Sequence, residues 1–261
     1  MKASKKYVHN YGILRKYTDN EFKLTCMNFK CVKDDEIKFF TPKGFAGNEE
    51  KLENNISRTK TRICELGKCN KWDFFVTLTL DPKKYDRKDL ARFNKNLSQF
   101  IRDERKKGNG DIIYLFIPER HKDGCWHMHG FLGGLSLDCL HEFSRDEHLP
   151  KKILNKIDNG VRVFTWKKYE NKFGFADIEL LQNKEAAFFY ITKYVTKELM
   201  KSVKELNAHA FYASKGLKSS EVLHQDILPR GIENPTYSNE YVSVKMFDDL
   251  PSALSFFEVR V

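Results

Sequence analysis

The pattern of apolar positions divides the middle of the chain into strands and helices. Residues 72–80, WDFFVTLTL, form a dense β-branched and aromatic run, which is typical of a central strand. A helix is predicted over about 87–107, because apolar side chains recur there on one stripe among charged residues. Residues 112–119 and 126–132 predict a second and a third strand on either side of a short turn.

Further elements flank this region. Helical spacing of apolar residues predicts a helix over about 48–66 with Asn48 as N-cap, and Asn183 opens a helix that extends to about residue 205. Strands are predicted at FGFADIELL (173–181) and at 241–247, and a peripheral hairpin over 21–40 turns at KDDE. The order of strand, helix, hairpin, strand and helix predicts an α+β fold with a central antiparallel sheet and flanking helices.

Composition narrows the class of protein. The 261 residues include 46 Lys and Arg against 36 Asp and Glu, a net charge of +10, which favours a polyanionic partner such as nucleic acid. Many basic proteins bind no nucleic acid, so charge alone does not decide this. Apolar runs are too short for a membrane span of about 18 residues, and six cysteines are too sparse for a disulfide scaffold. We therefore expect a reduced, cytoplasmic protein with no membrane partner.

Two histidines, His127 and His129, lie one residue apart in the apolar run CWHMHGFL (125–132). Residues i and i+2 of a strand point to the same face, so both imidazoles are expected on one side of the sheet. A histidine pair in a strand also occurs through ordinary packing or on a surface. Spacing alone does not distinguish these from a metal site.

The turn before the pair decides whether a carboxylate joins it. If residues 122–124 (KDG) form a three-residue loop, Glu119 lies opposite His127, and Glu119, His121, His127 and His129 share a face. A two-residue loop would turn Glu119 to the opposite face. The first register gives a ligand set that suits Mn²⁺ or Mg²⁺, and Zn²⁺ and Fe²⁺ also bind such sets. His121 is then either a further ligand or base, or a histidine at the rim.

A second group of polar residues falls in the predicted helix, at AAFFYITKYVTKEL (186–199). At helical spacing, Tyr190, Lys193, Tyr194 and Lys197 lie within about 100° of arc, opposite an apolar stripe. A phenol, with an ordinary pKa near 10, is a poor nucleophile at neutral pH, and nearby ammonium groups favour its ionised form. The alternative is a solvated helix face with ordinary tyrosines.

Taken together, these segments resemble the HUH endonucleases that initiate rolling-circle replication, most of all the phage and plasmid Rep proteins with a Tyr-x-x-Lys-Tyr motif. FFVTLTL (74–80) is similar to the first family motif, WHMHG (126–130) to the second and YITKYVTK (190–197) to the third, in the family's order. HAFYASKGLK (209–218) is also similar to a segment of Rep proteins from low-GC Gram-positive bacteria and their phages. The resemblance covers roughly residues 56–218.

The resemblance implies a sheet of ferredoxin or RRM-like topology, a divalent metal (Mn²⁺ or Mg²⁺) on His127, His129 and Glu119, and a tyrosine that attacks single-stranded origin DNA. The products would be a 5′-phosphotyrosine and a free 3′-OH, and the same site would later rejoin strands. Tyr190 and Tyr194, assisted by Lys193 and Lys197, would allow two successive cuts, although a single-tyrosine mechanism stays open. With no phosphate-loop motif in the chain, a host helicase and other replication proteins are the expected partners.

The resemblance also divides the chain. We expect an N-terminal extension over 1–55, an endonuclease domain over 56–218 and a C-terminal extension over 219–261 packed on that domain. Contacts to DNA are expected from basic residues outside the motifs: Arg58, Arg62, Lys151, Lys152, Lys167, Lys168 and Lys172. The alternatives are a transposase or relaxase of the same chemistry, or a non-catalytic nucleic-acid-binding replication regulator.

Overall fold

The computed structural model describes residues 6–28, 30–32 and 49–258. Its helices are α1 (Glu49–Cys69), α2 (Leu90–Lys106), α3 (Lys151–Asp158), α4 (Lys167–Lys172), α5 (Lys184–Thr192), α6 (Lys197–Glu205) and α7 (Leu250–Leu254). Its strands are β1 (Lys6–Val8), β2 (Tyr11–Thr18), β3 (Glu21–Met27), β4 (Lys30–Val32), β5 (Phe74–Thr79), β6 (Ile113–Arg120), β7 (Trp126–Gly133), β8 (His141–Glu142), β9 (Val163–Thr165), β10 (Ala176–Leu180), β11 (Tyr212–Ala213), β12 (Glu221–Ile227), β13 (Tyr237–Ser238) and β14 (Val242–Phe247).

A seven-stranded antiparallel sheet in the order β11-β6-β7-β5-β10-β9-β8 forms the centre of the described residues 49–217. Its four middle strands follow the chain as β5, α2, β6, β7 and β10, so the first strand lies between the third and the fourth. This is the strand order of a ferredoxin-like sheet. The predicted α+β fold, with a central antiparallel sheet and flanking helices, is confirmed.

Alternating side chains give this sheet two different faces. In β5, Phe74, Val76 and Leu78 are buried, and the residues between them point to the other side. The buried face packs on the apolar stripe of α2, which begins where the Asp89 side chain accepts a hydrogen bond from the backbone N–H of Arg92. The helix predicted at 87–107 is therefore confirmed, and its burial leaves the opposite face of the sheet to carry polar groups.

The opposite face is partly covered by α1 and α5. Phe131 of β7 packs edge-on against Phe188 of α5, with 5.3 Å between ring centroids, and Ile63 of α1 is fully buried in the same cluster. The predicted apolar stripe of the tyrosine segment is confirmed by the burial of Phe188, Ile191, Val195 and Leu199. This packing brings the tyrosine segment onto the face of β7 that carries the histidines.

The single helix predicted from Asn183 to about residue 205 is wrong, because the segment forms two helices. Asn183 caps α5 as expected and accepts a hydrogen bond from the backbone N–H of Ala186 (3.0 Å). The α5 helix ends at Thr192, and the Thr196 hydroxyl accepts a hydrogen bond from the backbone N–H of Leu199 (3.1 Å) to begin α6. A threonine side chain bonds its local backbone in this way more readily at an N-cap than inside a helix.

The other described residues, 6–32 and 218–258, form a separate compact unit. A five-stranded antiparallel sheet in the order β12-β2-β3-β14-β13 packs with α7 around Leu14, Leu24 and Ala253. The sequence predicted two separate terminal extensions. In the structure, segments from both ends of the chain instead contribute strands to one sheet, because β3 pairs with β14.

Two predictions near the N-terminus meet the limits of the described chain. The KDDE turn of the predicted hairpin and the Asn48 cap lie outside the described residues. The strand that was predicted as the first arm of that hairpin does form, as β3, but it pairs with β2 and β14. Within the described ranges, no helix is both long and apolar enough to cross a bilayer.

A glycine in β7 provides a test of the sheet packing. A Cβ at Gly130 would overlap the carbonyl oxygen of Leu115 in β6, so Gly130→Ala must push the two strands apart. We expect it to lower the free energy of unfolding by about 1–3 kcal/mol, the range for overpacking a core. Urea unfolding followed by tryptophan fluorescence measures this loss. Gly231→Ala is the control, since a Cβ there meets nothing within 4 Å, and equal midpoints for both variants would contradict the packing.

Candidate metal and tyrosine site

The β6–β7 hairpin brings a carboxylate opposite the histidine pair. Glu119 pairs with His127 across the two strands, and the backbone N–H of His121 donates to the carbonyl of Cys125 (2.9 Å). Gly124 has a φ of +83°, the left-handed conformation that the last residue of a three-residue loop requires. The three-residue register is confirmed, and the two-residue alternative is wrong.

Both imidazoles are oriented by threonines of β5. Thr77 pairs with His129 and Thr79 with His127, and their hydroxyl oxygens lie 3.1 Å and 2.8 Å from the Nδ1 atoms. With Nδ1 occupied, each ring presents Nε2 to the open side of the sheet. A hydrogen-bonded Nδ1 with Nε2 facing outward is the usual arrangement of a metal-binding histidine. The sequence showed that Thr77 and Thr79 share a face, but it did not show which strand they would adjoin.

The Nε2 atoms have different partners. Nε2 of His129 lies 2.7 Å from a carboxylate oxygen of Glu119, and Nε2 of His121 lies 3.2 Å from the same oxygen. Nη2 of Arg87 lies 3.1 Å from Nε2 of His127. The His121 ring stacks on that of His127, with 4.0 Å between centroids. His121 therefore belongs to the cluster, and Arg87, which sequence patterns did not single out, closes it.

These contacts shift two pKa values. The hydrogen bond from His129 lowers the pKa of Glu119 to about 2, and the charges of His129 and His121 act in the same direction against the effect of burial. Burial lowers the pKa of His127 to about 4, assisted by the charges of His121 and Arg87. At neutral pH the site therefore holds an ionised carboxylate and a neutral His127, the protonation states that cation binding requires.

The donor set fits a divalent cation in its chemistry, with two imidazole nitrogens and one carboxylate. In the described part of the chain, however, no group of three or more His, Cys, Asp or Glu side chains is already arranged to hold a metal ion. The contacts explain this, because His129 is bonded to Glu119 and His127 to Arg87. A cation would have to replace both hydrogen bonds.

The tyrosine segment meets the histidine pair directly. The ring of Tyr194 stacks on that of His129, with 4.1 Å between centroids and 2° between planes. The hydroxyl of Tyr194 lies 3.5 Å from that of Tyr190, which is about half exposed. The Lys193 ammonium lies 3.5 Å from the centroid of the Tyr190 ring. Residues some 60 positions apart in sequence thus form one cluster.

The two phenols differ in acidity. Burial alone would raise the pKa of Tyr190, but hydrogen bonding and charge from Lys193, with a hydrogen bond from Tyr194, lower it below its ordinary value. Burial raises the pKa of Tyr194, and so do its contact with Tyr190 and the negative charges of Glu119 and Asp177. Tyr190 is therefore the phenol that ionises more easily.

Lys197 is not part of this cluster as the sequence predicted. It is the first residue of α6, and its ammonium pairs with Glu53 of α1 at 2.8 Å. The prediction that Tyr190, Lys193, Tyr194 and Lys197 share one helical face is wrong, because α5 ends at Thr192. Tyr194 nevertheless remains beside Tyr190, since the turn after α5 keeps its ring over His129.

Two open clefts border the tyrosines. One, of about 590 Å³, is lined by Phe75, Lys152 and Lys156 as well as by Tyr190 and Tyr194. The other, of about 690 Å³, is lined by Glu119, His121 and Arg120 together with Lys193 and Tyr194. Tyr194 borders both clefts, so an extended ligand in either one would reach the tyrosines.

A buried charge cluster supports the first cleft. Asp177 of β10 pairs with Thr77, and its carboxylate accepts a hydrogen bond from Lys156 of α3 at 2.6 Å. Lys156 also donates to Glu179 at 2.7 Å. Because both carboxylates outweigh the effect of burial, the pKa of Lys156 is raised. The sequence gave no signal for this cluster, whose members come from separate elements.

The basic residues predicted to contact DNA lie in several places. Lys152 lines the first cleft, whereas Lys168 pairs with the buried Glu104 at 3.1 Å and the Lys172 ammonium lies 5.3 Å from the centroid of the Phe173 ring. The remainder lie on exposed helix surfaces, two of them in ion pairs with glutamates of the same helix: Arg58, Arg62, Lys151 and Lys167. Their contact with DNA stays a prediction.

The neutral state of His127 predicts a loss of stability in acid. The folded protein holds its pKa near 4, and the unfolded chain has the ordinary value of 6.5, so the unfolded state binds more protons as the pH falls through this window. In EDTA, the free energy of unfolding should fall by about 2 kcal/mol between pH 7 and pH 5 through this group. Urea unfolding at both pH values tests this. His127→Gln should lose that part of the pH dependence, whereas His148→Gln, at an exposed histidine, should keep it.

Residues 73–199, slightly less than half of the chain, match the family model of replication-associated protein ORF2/gene 2 protein. Searches against curated proteins and against solved structures found no match to the chain. The matched range begins next to β5 and ends in α6, so it contains the histidine pair, Glu119 and both tyrosines. Over this range the chain is similar to a family of replication-associated proteins, which is consistent with a role in DNA replication.

Proposed function

We propose that this protein is a replication initiator that nicks single-stranded origin DNA through a tyrosine and later rejoins strands, in the rolling-circle mode of HUH endonucleases. The observation that carries the proposal is the stacking of Tyr194 on His129, with Tyr190 beside it. A non-catalytic DNA-binding protein has no need to hold two phenols against a histidine pair. The similarity to replication-associated proteins supports the biological process.

The chemistry follows from the acidity of the two phenols. Lys193 favours ionisation of Tyr190, and the Tyr194 hydroxyl can donate a hydrogen bond to the resulting phenolate. The phenolate oxygen of Tyr190 attacks the scissile phosphorus, and the bond from phosphorus to the 3′ oxygen breaks. The 3′ oxygen takes up a proton to become a free 3′-OH, and the 5′-phosphate remains on the tyrosine. Water is not consumed, so reversal of the step rejoins a strand.

Glu119, His127 and His129 are proposed to hold a divalent cation, Mn²⁺ or Mg²⁺. The bound ion would neutralise charge on the phosphate that is attacked and polarise its oxygen. Thr77 and Thr79 orient the two imidazoles for this task, and the low pKa of Glu119 keeps its carboxylate ionised. His121, in contact with Glu119 and His127, supports the arrangement from the side.

The two clefts suit an extended single strand. Phe75 and Tyr190 offer aromatic surface next to the cationic Lys152 in one cleft, and Arg120 and Lys193 lie along the other. Base stacking on aromatic rings and cationic contacts to phosphates are the usual means of binding single strands. A strand that occupied both clefts would pass Tyr194, with its phosphates near the tyrosines.

The first test is covalent capture of DNA. With single-stranded origin DNA and Mn²⁺, the wild type should form an adduct that persists on a denaturing gel and that EDTA prevents. Tyr190→Phe should reduce the rate of adduct formation by about 100-fold or more, because it removes the more acidic phenol, and Tyr194→Phe should reduce it less. Tyr85→Phe, at a tyrosine outside the cluster, is the control. An undiminished adduct with the double variant at Tyr190 and Tyr194 would refute the assignment of the nucleophile.

The second test concerns the carboxylate. Glu119→Ala should weaken Mn²⁺ binding about tenfold or more in calorimetric titration without DNA, because one of three proposed ligands is lost. Glu142→Ala removes a carboxylate of the edge strand β8 that pairs with Arg162, and should leave Mn²⁺ binding unchanged. Equal Mn²⁺ affinities for wild type and Glu119→Ala would exclude Glu119 as a ligand.

A further inference from the structure

Arg87 occupies an unusual position in the site. Its guanidinium Nη2 lies 3.1 Å from Nε2 of His127, and its Nε is buried with no hydrogen-bond partner in the described part of the chain. A buried guanidinium N–H without an acceptor costs about 1–3 kcal/mol. Arginine forks of this kind normally bind a carboxylate or a phosphate. The guanidinium therefore lacks an anion.

The backbone around Arg87 is held in place. The backbone N–H of Trp126 donates to the carbonyl of Arg87 at 2.8 Å, and the indole N–H of Trp126 donates to the carbonyl of Lys88 at 3.2 Å. Trp126 is fully buried and directly precedes His127. The loop between β5 and α2 is thus fastened to the start of the histidine strand. The position of the guanidinium follows from this attachment and not from a mobile surface loop.

The hydrogen bond defines the tautomer of His127. Arginine has no acceptor atom, so its N–H must donate and Nε2 of His127 must accept with its lone pair. The proton of the neutral imidazole is then on Nδ1, which donates to the Thr79 hydroxyl at 2.8 Å. This is the tautomer that binds a cation through Nε2. Arg87 and a cation therefore compete for the same lone pair.

We propose that Arg87 is a phosphate-binding residue of the nicking site, bonded to His127 while no cation is present and to the scissile phosphate once His127 holds one. This inference rests on the proposed function and adds a residue to it. A cation on His127 repels the guanidinium and removes its acceptor. A phosphate in the same place supplies the missing anion, with a fork geometry that matches two phosphate oxygens. Coupled in this way, the site presents its phosphate clamp only when a cation is bound.

The test measures cation affinity and adduct formation separately. Arg87→Met keeps the apolar stem and removes the charge. In calorimetric titration without DNA it should bind Mn²⁺ about tenfold more tightly than the wild type, which corresponds to one hydrogen bond to a charged group. At saturating Mn²⁺ its rate of adduct formation on single-stranded origin DNA should fall about 100-fold, as for loss of one phosphate-stabilising donor.

Two further variants separate charge from geometry. Arg87→Lys retains a competing cation without the fork, so its Mn²⁺ affinity should stay near that of the wild type while adduct formation remains slow. Arg92→Ala, an exposed arginine in the first turn of α2, should change neither quantity.

The outcomes distinguish the inference from the function beneath it. A wild type that binds Mn²⁺ and cuts DNA, together with an Arg87→Met variant whose Mn²⁺ affinity is equal or weaker, would overturn the exchange at His127. Tighter Mn²⁺ binding with an unchanged rate of adduct formation would overturn the phosphate contact. If the wild type itself neither binds Mn²⁺ nor forms an adduct, the proposed function fails, and the exchange fails with it.

Discussion

The pairing register of three adjacent strands is the constraint on which the site depends. Within it, Thr79, His127 and Glu119 lie side by side across β5, β7 and β6, and Thr77 lies next to His129. Side chains alternate between the faces of a strand, so a slip of one residue would send the histidines into the apolar core beneath. The loop that ends in Gly124 holds the register at one end of the sheet. Apolar residues on the reverse face penalise any other register.

The same alternation separates stability from chemistry. One face of the sheet buries Phe74, Val76 and Met128 against α2, and it needs no polar group. The other face carries His127 and His129 at the end that α1 and α5 leave accessible. Polar groups on this face are satisfied by each other, through contacts between hydroxyl and imidazole and between imidazole and carboxylate. A preorganised network of this kind can exchange a hydrogen bond for a ligand with little rearrangement of the backbone.

Cations surround the site from separate elements. Lys193 lies over Tyr190, Arg87 reaches His127 from the loop before α2, and Lys152 borders the cleft next to the tyrosines. Of the other basic side chains, several support the fold. Lys168 neutralises the buried Glu104, and Lys156 is held between Asp177 and Glu179. The net charge of +10 thus combines structural ion pairs with a smaller group positioned for a polyanion.

The sequence by itself determined the strands of the sheet, the helix α2 and the face shared by His127 and His129, because these follow from local periodicity and turn chemistry. The KDG loop was enough to place Glu119 opposite His127, since loop length sets register in a hairpin. Only the tertiary structure decided the break after α5, the partners Thr77 and Thr79, and the place of Arg87. These depend on which segments meet in space: a cap competes with helix continuation at Thr196, and strand order brings β5 beside β7. Lys197 was drawn to Glu53 for the same reason, because a pairing between helices distant in sequence leaves no trace in local spacing.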